Sequence, residues 1–170
     1  MLIVKVNELI DEVQRWKSRY QYLKEQQQAQ QPPKLSGTGI IQSRLEVQTT
    51  FLAALPMFAQ ELLDIDFLLP PWANIEKIIA WDKANTIPYI PERRDCDNYG
   101  MWMAAMVSMV FGVNPFFPIW DYDARHFYDL VLDAELKIYV LEPQTDQMWA
   151  LADFKPDALH QLKSGKIYGF

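Results

Sequence analysis

Cys96 is the single cysteine of this 170-residue sequence, which also has only two histidines. A cysteine becomes nucleophilic when its thiolate is favoured, for example at a helix N-terminus or beside an imidazolium. The mostly hydrophobic stretch of residues 96–111 predicts a buried helix that begins at Cys96. The position therefore suits a nucleophile, and a small buried cysteine without chemical function fits it equally well.

A base and an orienting carboxylate are available further along the chain. Residues 126–132 and 137–142 are rich in β-forming residues and flank a turn, which predicts a hairpin. Pairing across that hairpin places His126, at the start of one strand, near Glu142, at the end of the other. The sequence thus predicts a triad of Cys96 as nucleophile, His126 as base and Glu142 as the residue that orients the imidazole. Taken singly, His126 also fits a structural hydrogen-bonding role and Glu142 a solvated strand end.

Composition bounds the classes of protein that are possible. Half of the residues are hydrophobic and 14% are aromatic, which excludes disorder for most of the chain. The net charge of −6 argues against nucleic-acid binding. A single cysteine excludes an internal disulfide framework and every zinc site that needs several cysteines.

Three segments are predicted from the chain's patterning. Residues 1–31 carry a seven-residue hydrophobic repeat, which predicts an amphipathic, coiled-coil-like helix. Residues 32–39 begin with two prolines and contain a Ser-Gly-Thr-Gly stretch, which is typical of a linker. Residues 40–170 form the predicted folded domain. The hydrophobic stripe at residues 2–23 is compatible with a homo-oligomer and with docking onto the same subunit.

The predicted fold class is α+β. Helical patterns cover residues 41–69 and 74–83, strands follow at 126–132, 137–142, 148–151 and 167–168, and a C-terminal helix is predicted at 156–162. This places a helical first half and a central buried helix against an antiparallel sheet. His160 falls in the predicted C-terminal helix and is interpreted as a surface residue. The aromatic run at 116–122 fits either core packing or the wall of a groove.

Neither a secretory signal nor a membrane span is predicted. The first 20 residues interrupt their apolar positions with charges, and no apolar run reaches the length that a bilayer requires. We therefore expect a cytoplasmic or virion-associated protein.

Three stretches together resemble a known family. Residues 90–100 (IPERRDCDNYG), 126–131 (HFYDLV) and 139–146 (YVLEPQTD) are similar to the papain-like cysteine protease domain of the Marasmius oreades agglutinin group, which includes stand-alone phage relatives. The resemblance implies a papain-like fold and the same three roles for Cys96, His126 and Glu142.

The resemblance also implies calcium dependence. The oxygen ligands available near the predicted site are Asp95, Asp97, Asn98 and Asp146. Helix capping and turn formation are alternative roles for these residues. Two features depart from the family pattern: Gly100 lies inside the predicted helix, and no glutamine precedes Cys96 as an oxyanion donor.

The function favoured at this point is a cysteine peptidase or acyl hydrolase that acts on a peptide or protein substrate. The alternative is a non-catalytic structural or assembly protein, for example one associated with a phage virion. Such a protein would oligomerise through its N-terminal helix and use the papain-like body as a binding module.

Overall fold

A computed structural model describes residues 31–37 and 39–170. The predicted coiled-coil-like helix and its association through residues 2–23 lie outside the described residues. Residues 34–170 form one compact unit, and the description below refers to that unit.

Three α-helices and eight strands make up the described part of the chain. The helices are α1 (Arg44–Ala54), α2 (Trp72–Trp81) and α3 (Cys96–Phe111). The strands are β1 (Ile40–Ser43), β2 (Phe58–Leu62), β3 (Asp66–Leu69), β4 (Phe116–Asp121), β5 (His126–Leu132), β6 (Ile138–Glu142), β7 (Gln147–Ala150) and β8 (Gly165–Gly169). This is a mixed α+β fold, as predicted.

Six strands form one sheet in the order β2-β8-β4-β5-β6-β7, and β1 pairs with β3 in a separate two-stranded sheet. Strands β2 and β8 run parallel, whereas the other pairs are antiparallel. The predicted antiparallel sheet is therefore mixed at one edge. The hairpin of β5 and β6 pairs Asp129 with Leu141, which confirms the hairpin expected from the sequence.

The large sheet is buried on both faces. One face packs with α1 around Phe51, Phe117 and Tyr128. The opposite face packs with α2 and α3 around Ile78 and Met103. Because both faces are covered, β5 is buried along its whole length, and its sequence reads as a hydrophobic run with few polar interruptions.

Local sequence explains where α3 begins and ends. Asp95 precedes the helix, and its backbone N–H donates to Asn98 Oδ1 at 3.2 Å. Gly112 follows the helix with φ of 65°, a left-handed conformation that suits glycine after a helix end. These two boundaries hold Cys96 in the first turn of the helix.

Two helix predictions are wrong. Residues 58–69, predicted as helix, form β2 and β3, because Phe58 and Leu62 fit a helical spacing and a strand equally well. Residues 156–162 form no helix. Asp157 Oδ1 instead accepts hydrogen bonds from the backbone N–H groups of Leu159 and His160, which closes a tight turn.

In the part of the chain that the structure describes, no helix is long and apolar enough to cross a membrane.

Candidate functional site

The three residues of the predicted triad lie at the ends of three elements. Cys96 is the first residue of α3, His126 is the first of β5 and Glu142 is the last of β6. In an antiparallel pair the start of one strand lies beside the end of the other, so the hairpin brings His126 to Glu142. Helix α3 packs on β5 and delivers Cys96 to the same end of the sheet.

The side chains of these residues lie close together. His126 Nε2 lies 2.6 Å from Glu142 Oε2, and the Cys96 side chain is near enough to the His126 ring to raise the pKa of His126. His126 and Glu142 are buried, whereas Cys96 is half-buried. The site therefore supplies a partly accessible thiol beside an imidazole that is hydrogen-bonded to a carboxylate.

Electrostatics favour a charged pair at neutral pH. Burial opposes the imidazolium of His126, but the hydrogen bonds and charges of Cys96 and Glu142 outweigh it and raise the pKa of His126 to about 9. Burial likewise opposes the Glu142 carboxylate, yet the hydrogen bond to His126 and the nearby imidazole of His160 lower the pKa of Glu142 to about 2. Because the pKa of the base is raised and that of the acid is lowered, His126 and Glu142 stabilise each other as an ion pair.

His160 is a part of this site that the sequence did not reveal. It was interpreted as a surface residue, but it is 3% exposed and its Nε2 lies 3.4 Å from Glu142 Oε2. Its Nδ1 lies 3.0 Å from Asp157 Oδ1. The only hint in the sequence is the spacing of Asp157 and His160 in a turn-forming stretch. That spacing does not show whether the imidazole is buried, because burial depends on where the loop packs.

Asp121 anchors the segments that carry both histidines. This aspartate is fully buried at the end of β4, and its two carboxylate oxygens accept five hydrogen bonds. The donors are the backbone N–H groups of Asp123, Ala124, Gln161 and Leu162 and the hydroxyl of Tyr128. Asp121 thus ties the turn before His126 to the loop that follows His160.

A second buried carboxyl group lies near the ion pair. Asp129 is fully buried, and neither of its carboxylate oxygens has a hydrogen-bond partner among the residues that the structure describes. Burial raises the pKa of Asp129 well above its usual range, and the negative charges of Glu142 and Asp82 add to this effect. Burial at this position therefore favours the neutral acid form of Asp129.

The four predicted calcium ligands occupy two positions. Asn98 Oδ1 accepts from the Asp95 backbone at 3.2 Å, so it serves the helix cap. A hydrogen bond to Asp95 is the main cause of the raised pKa of Asp97, followed by burial. Asp146 accepts from Asn85 Nδ2 through Oδ2, whereas its Oδ1 is buried without a partner. Burial, followed by the charge of Asp82, raises the pKa of Asp146 to about 6. The unpartnered Asp146 oxygen is compatible with a cation, although Asp95 and Asn98 already satisfy each other.

The aromatic run at 116–122 is mainly core. Phe116 and Phe117 are buried on opposite faces of the sheet, as alternation along β4 requires. Tyr122 is half exposed just beyond the strand. Core packing is therefore the outcome for most of this segment.

No protein-family model and no curated protein matches the chain, whereas several solved structures do. One matching structure is a PSL1a–E64 complex, with a TM-score of 0.58 and 19% identity, covering 76% of this chain and 49% of that chain. Another is Polyporus squamosus lectin bound to the human-type influenza-binding epitope Neu5Aca2-6Galb1-4GlcNAc. It has a TM-score of 0.55 and 17% identity, and the match covers 75% of this chain and 49% of that chain. The chain thus spans about half the length of the lectin structures that it matches, and at this identity the likeness concerns the fold.

This finding corrects the family that the sequence predicted. Residues 90–100, 126–131 and 139–146 indicated a papain-like cysteine protease domain of the Marasmius oreades agglutinin group, but the structures that share the fold carry the name of a lectin. The predicted peptidase or acyl hydrolase with a peptide or protein substrate is overturned with it, as is the non-catalytic assembly protein. The motif stretches cover under half of the chain, and short motifs at the ends of elements do not by themselves fix a family.

Proposed function

We propose that Cys96, His126 and Glu142 form a reactive-thiol centre. The observation that carries this proposal is the buried pair of His126 and Glu142, with 2.6 Å between His126 Nε2 and Glu142 Oε2, beside Cys96 at the start of α3. The proposal concerns the chemistry of the thiol and is independent of the family assignment.

The chemistry follows from the positions of the three groups. The thiol proton passes to His126, and the imidazolium stays paired with the Glu142 carboxylate. The Cys96 sulfur then donates an electron pair to an electrophilic carbon of a small molecule, which forms a carbon–sulfur bond and expels the leaving group from that carbon. The N-terminus of α3 adds partial positive charge beside the sulfur.

Alkylation of Cys96 by iodoacetamide tests the centre directly. Because the chain has one cysteine, the increase in intact mass reports that residue alone. We expect faster labelling than for a free cysteine at neutral pH, and at least about tenfold slower labelling of His126→Ala and Glu142→Gln, in line with the usual contribution of a positioned base. Glu135→Gln, at an exposed glutamate on the β5–β6 turn, is the matched control and should label like the wild type. Equal, slow rates in all variants would refute the centre.

A second probe comes from the structural comparison. PSL1a is found in a complex with E64. We propose that this chain also binds E64, and that Cys96→Ser abolishes the binding. Native mass spectrometry of the wild type and of Cys96→Ser after incubation with E64 tests this. Binding that persists in Cys96→Ser would show that E64 does not bind through the Cys96 thiol.

Glycan binding is the second candidate function, and the fold likeness to a glycan-bound lectin favours it. The sheet offers an aromatic surface to support it. The half-buried rings of Trp120 and Tyr168 flank the buried Phe127 ring, with ring-centroid distances of 6.1 Å and 6.2 Å to it. Lys166 Nζ lies 4.9 Å from the Tyr168 ring centroid and also pairs with Glu61. Aromatic faces pack against apolar faces of ligands, and a lysine complements a carboxylate such as that of a sialic acid.

Calorimetric titration with Neu5Aca2-6Galb1-4GlcNAc, and with the same glycan lacking its sialic acid, tests this candidate. We expect binding of the sialylated glycan only, weakened in Lys166→Met and unchanged in Cys96→Ser. Binding that needs Cys96 but not Lys166, or no binding, would refute glycan recognition at this surface. Cys96→Ser and Lys166→Met thus distinguish the reactive-thiol centre from glycan binding.

Calcium is proposed as a ligand of the Asp146 carboxylate. The buried Asp146 Oδ1 without a partner supports the proposal, and its oxygen is of the type that calcium prefers. Calcium titration of the wild type and of Asp146→Asn, together with Cys96 labelling with and without calcium, tests it. An identical heat of binding in both proteins would exclude Asp146.

A further inference from the structure

We propose that His126, Glu142 and His160 form a binding site for a zinc ion. Each residue directs one ligand atom into the same buried place, and the three atoms lie within 4.8 Å of one another. This is the only group of three or more histidine, cysteine, aspartate or glutamate ligands that converges within residues 31–37 and 39–170. Two imidazoles and one carboxylate are a donor set that suits zinc rather than calcium or magnesium.

The orientation of His160 is the first line of support. Its Nδ1 lies 3.0 Å from Asp157 Oδ1, so the Nδ1–H donates to that carboxylate. In the neutral imidazole the second nitrogen, Nε2, then presents a lone pair. A carboxylate that fixes a histidine from behind is the usual outer partner of a metal-bound imidazole.

The surroundings of this lone pair are the second line of support. Within the described part of the chain, His160 Nε2 is buried without a hydrogen-bond partner, and it faces Glu142 Oε2 at 3.4 Å. The side chain of His160 is 4% exposed, so water does not compensate. In the neutral form of His160 these are two acceptors that face each other, and a cation between them, either a proton on Nε2 or a metal ion, is needed to satisfy both. A metal ion resolves this arrangement and satisfies both atoms.

The separation also fits zinc. Two ligands each about 2.1 Å from zinc at a tetrahedral angle are about 3.4 Å apart. His160 Nε2 and Glu142 Oε2 already lie 3.4 Å apart. His126 Nε2 lies closer to the same oxygen, at 2.6 Å, so this hydrogen bond must open and give up its proton when the ion enters. A water molecule is expected as the fourth ligand.

One consequence rests on the proposed reactive-thiol centre. A zinc ion on His126 Nε2 displaces the proton that the imidazole holds toward Glu142, and His126 then cannot carry the positive charge that accompanies a thiolate. Zinc would therefore slow the labelling of Cys96. The binding of zinc itself does not depend on this consequence.

The experiment is calorimetric titration of the full chain with Zn²⁺ after treatment with a chelator. We expect one zinc ion per chain, with affinity at least tenfold weaker in His160→Gln and in Glu142→Gln. Asp157→Asn should weaken the affinity by about 10-fold, the lower end of the effect of losing an outer partner. Glu135→Gln and Cys96→Ser should bind zinc like the wild type, and circular dichroism checks that each variant is folded.

Cobalt(II) provides an independent readout of the ligands. Tetrahedral cobalt bound by nitrogen and oxygen gives visible absorption without the sulfur charge-transfer band in the near ultraviolet. Such a spectrum in the wild type, lost in His160→Gln, supports the site. Absence of zinc binding, full affinity in His160→Gln, or loss of binding in Cys96→Ser would each overturn it. Zinc bound with slow Cys96 labelling in every variant would refute the thiol centre and leave the metal site standing.

Discussion

Gly100 on α3 lies directly against Phe127 on β5. A Cβ atom at position 100 would lie 2.9 Å from Phe127 Cδ1 and 3.3 Å from Asp129 Oδ1. The glycine is thus required by the close approach of helix and sheet, which explains why the helix tolerates a residue of low helix propensity four positions after Cys96. This approach also sets the distance between Cys96 and the strand that carries His126.

Gly100→Ala should therefore lower the free energy of unfolding. The gain in helix propensity of about 1 kcal/mol is outweighed by an overpacking cost of about 1–3 kcal/mol, because Phe127 is buried and has little space to move. Urea denaturation measures the difference. Met109→Ala, at an exposed position of the same helix, is the control and should change stability by less than about 0.5 kcal/mol. A stabilised Gly100→Ala would show that helix and sheet are not in close contact.

Asp129 makes the stability depend on pH. Its pKa is raised in the folded protein, so the folded state holds a proton that the unfolded state releases above about pH 4. This contribution to stability is present at low pH and is lost as the pH rises toward the folded pKa. Asn does not titrate, so the stability of Asp129→Asn lacks this decrease with rising pH.

The stability of Asp129→Asn relative to the wild type should consequently increase with pH. The upper limit of the slope is about 1.4 kcal/mol per pH unit from about pH 4 upward. Denaturation of both proteins at several values between pH 4 and 8 gives the difference directly. A difference that is constant or that decreases with pH would contradict a buried neutral acid at this position.

Asp121→Ala should be among the most destabilising single substitutions. It removes the acceptor of five hydrogen bonds and leaves buried donors unsatisfied, at a cost of about 3 kcal/mol or more. Because Gln161 and Leu162 lose their anchor, the loop that carries His160 should also exchange its amide protons faster. Asp121→Asn keeps one acceptor oxygen and should lose less. A cost below 1 kcal/mol would show that the loop is held by other contacts.

The pair of His126 and Glu142 should show a measurable coupling energy. Both side chains are buried and lie 2.6 Å apart, so a double-mutant cycle with alanine at each position should give about 1–3 kcal/mol. The exposed pair of Lys137 and Glu135, at 2.7 Å, is the control and should give almost no coupling, since water screens it. Equal coupling in the two pairs would show that burial does not strengthen the His126–Glu142 interaction.

Short-range patterns predicted the elements that depend on short-range interactions. The continuous hydrophobic stretch predicted α3 with its start at Cys96, and the two β-rich stretches around a turn predicted β5 and β6. The same patterns failed at residues 58–69. There the apolar spacing fits both helix and strand, and the pairing of β2 with β8, which lies about a hundred residues away in sequence, favours the strand.

The sequence by itself determined which residues can do thiol chemistry, because one cysteine and two histidines leave few combinations. It also brought His126 to Glu142, since a hairpin is a local structure whose register follows from its turn. Only the tertiary structure decided that His160 joins them. Its loop is placed by hydrogen bonds to Asp121, a residue distant in sequence, and such long-range contacts leave no periodic pattern along the chain. The same holds for the burial of Asp129, whose ionisation depends on the elements packed around it and not on its sequence neighbours.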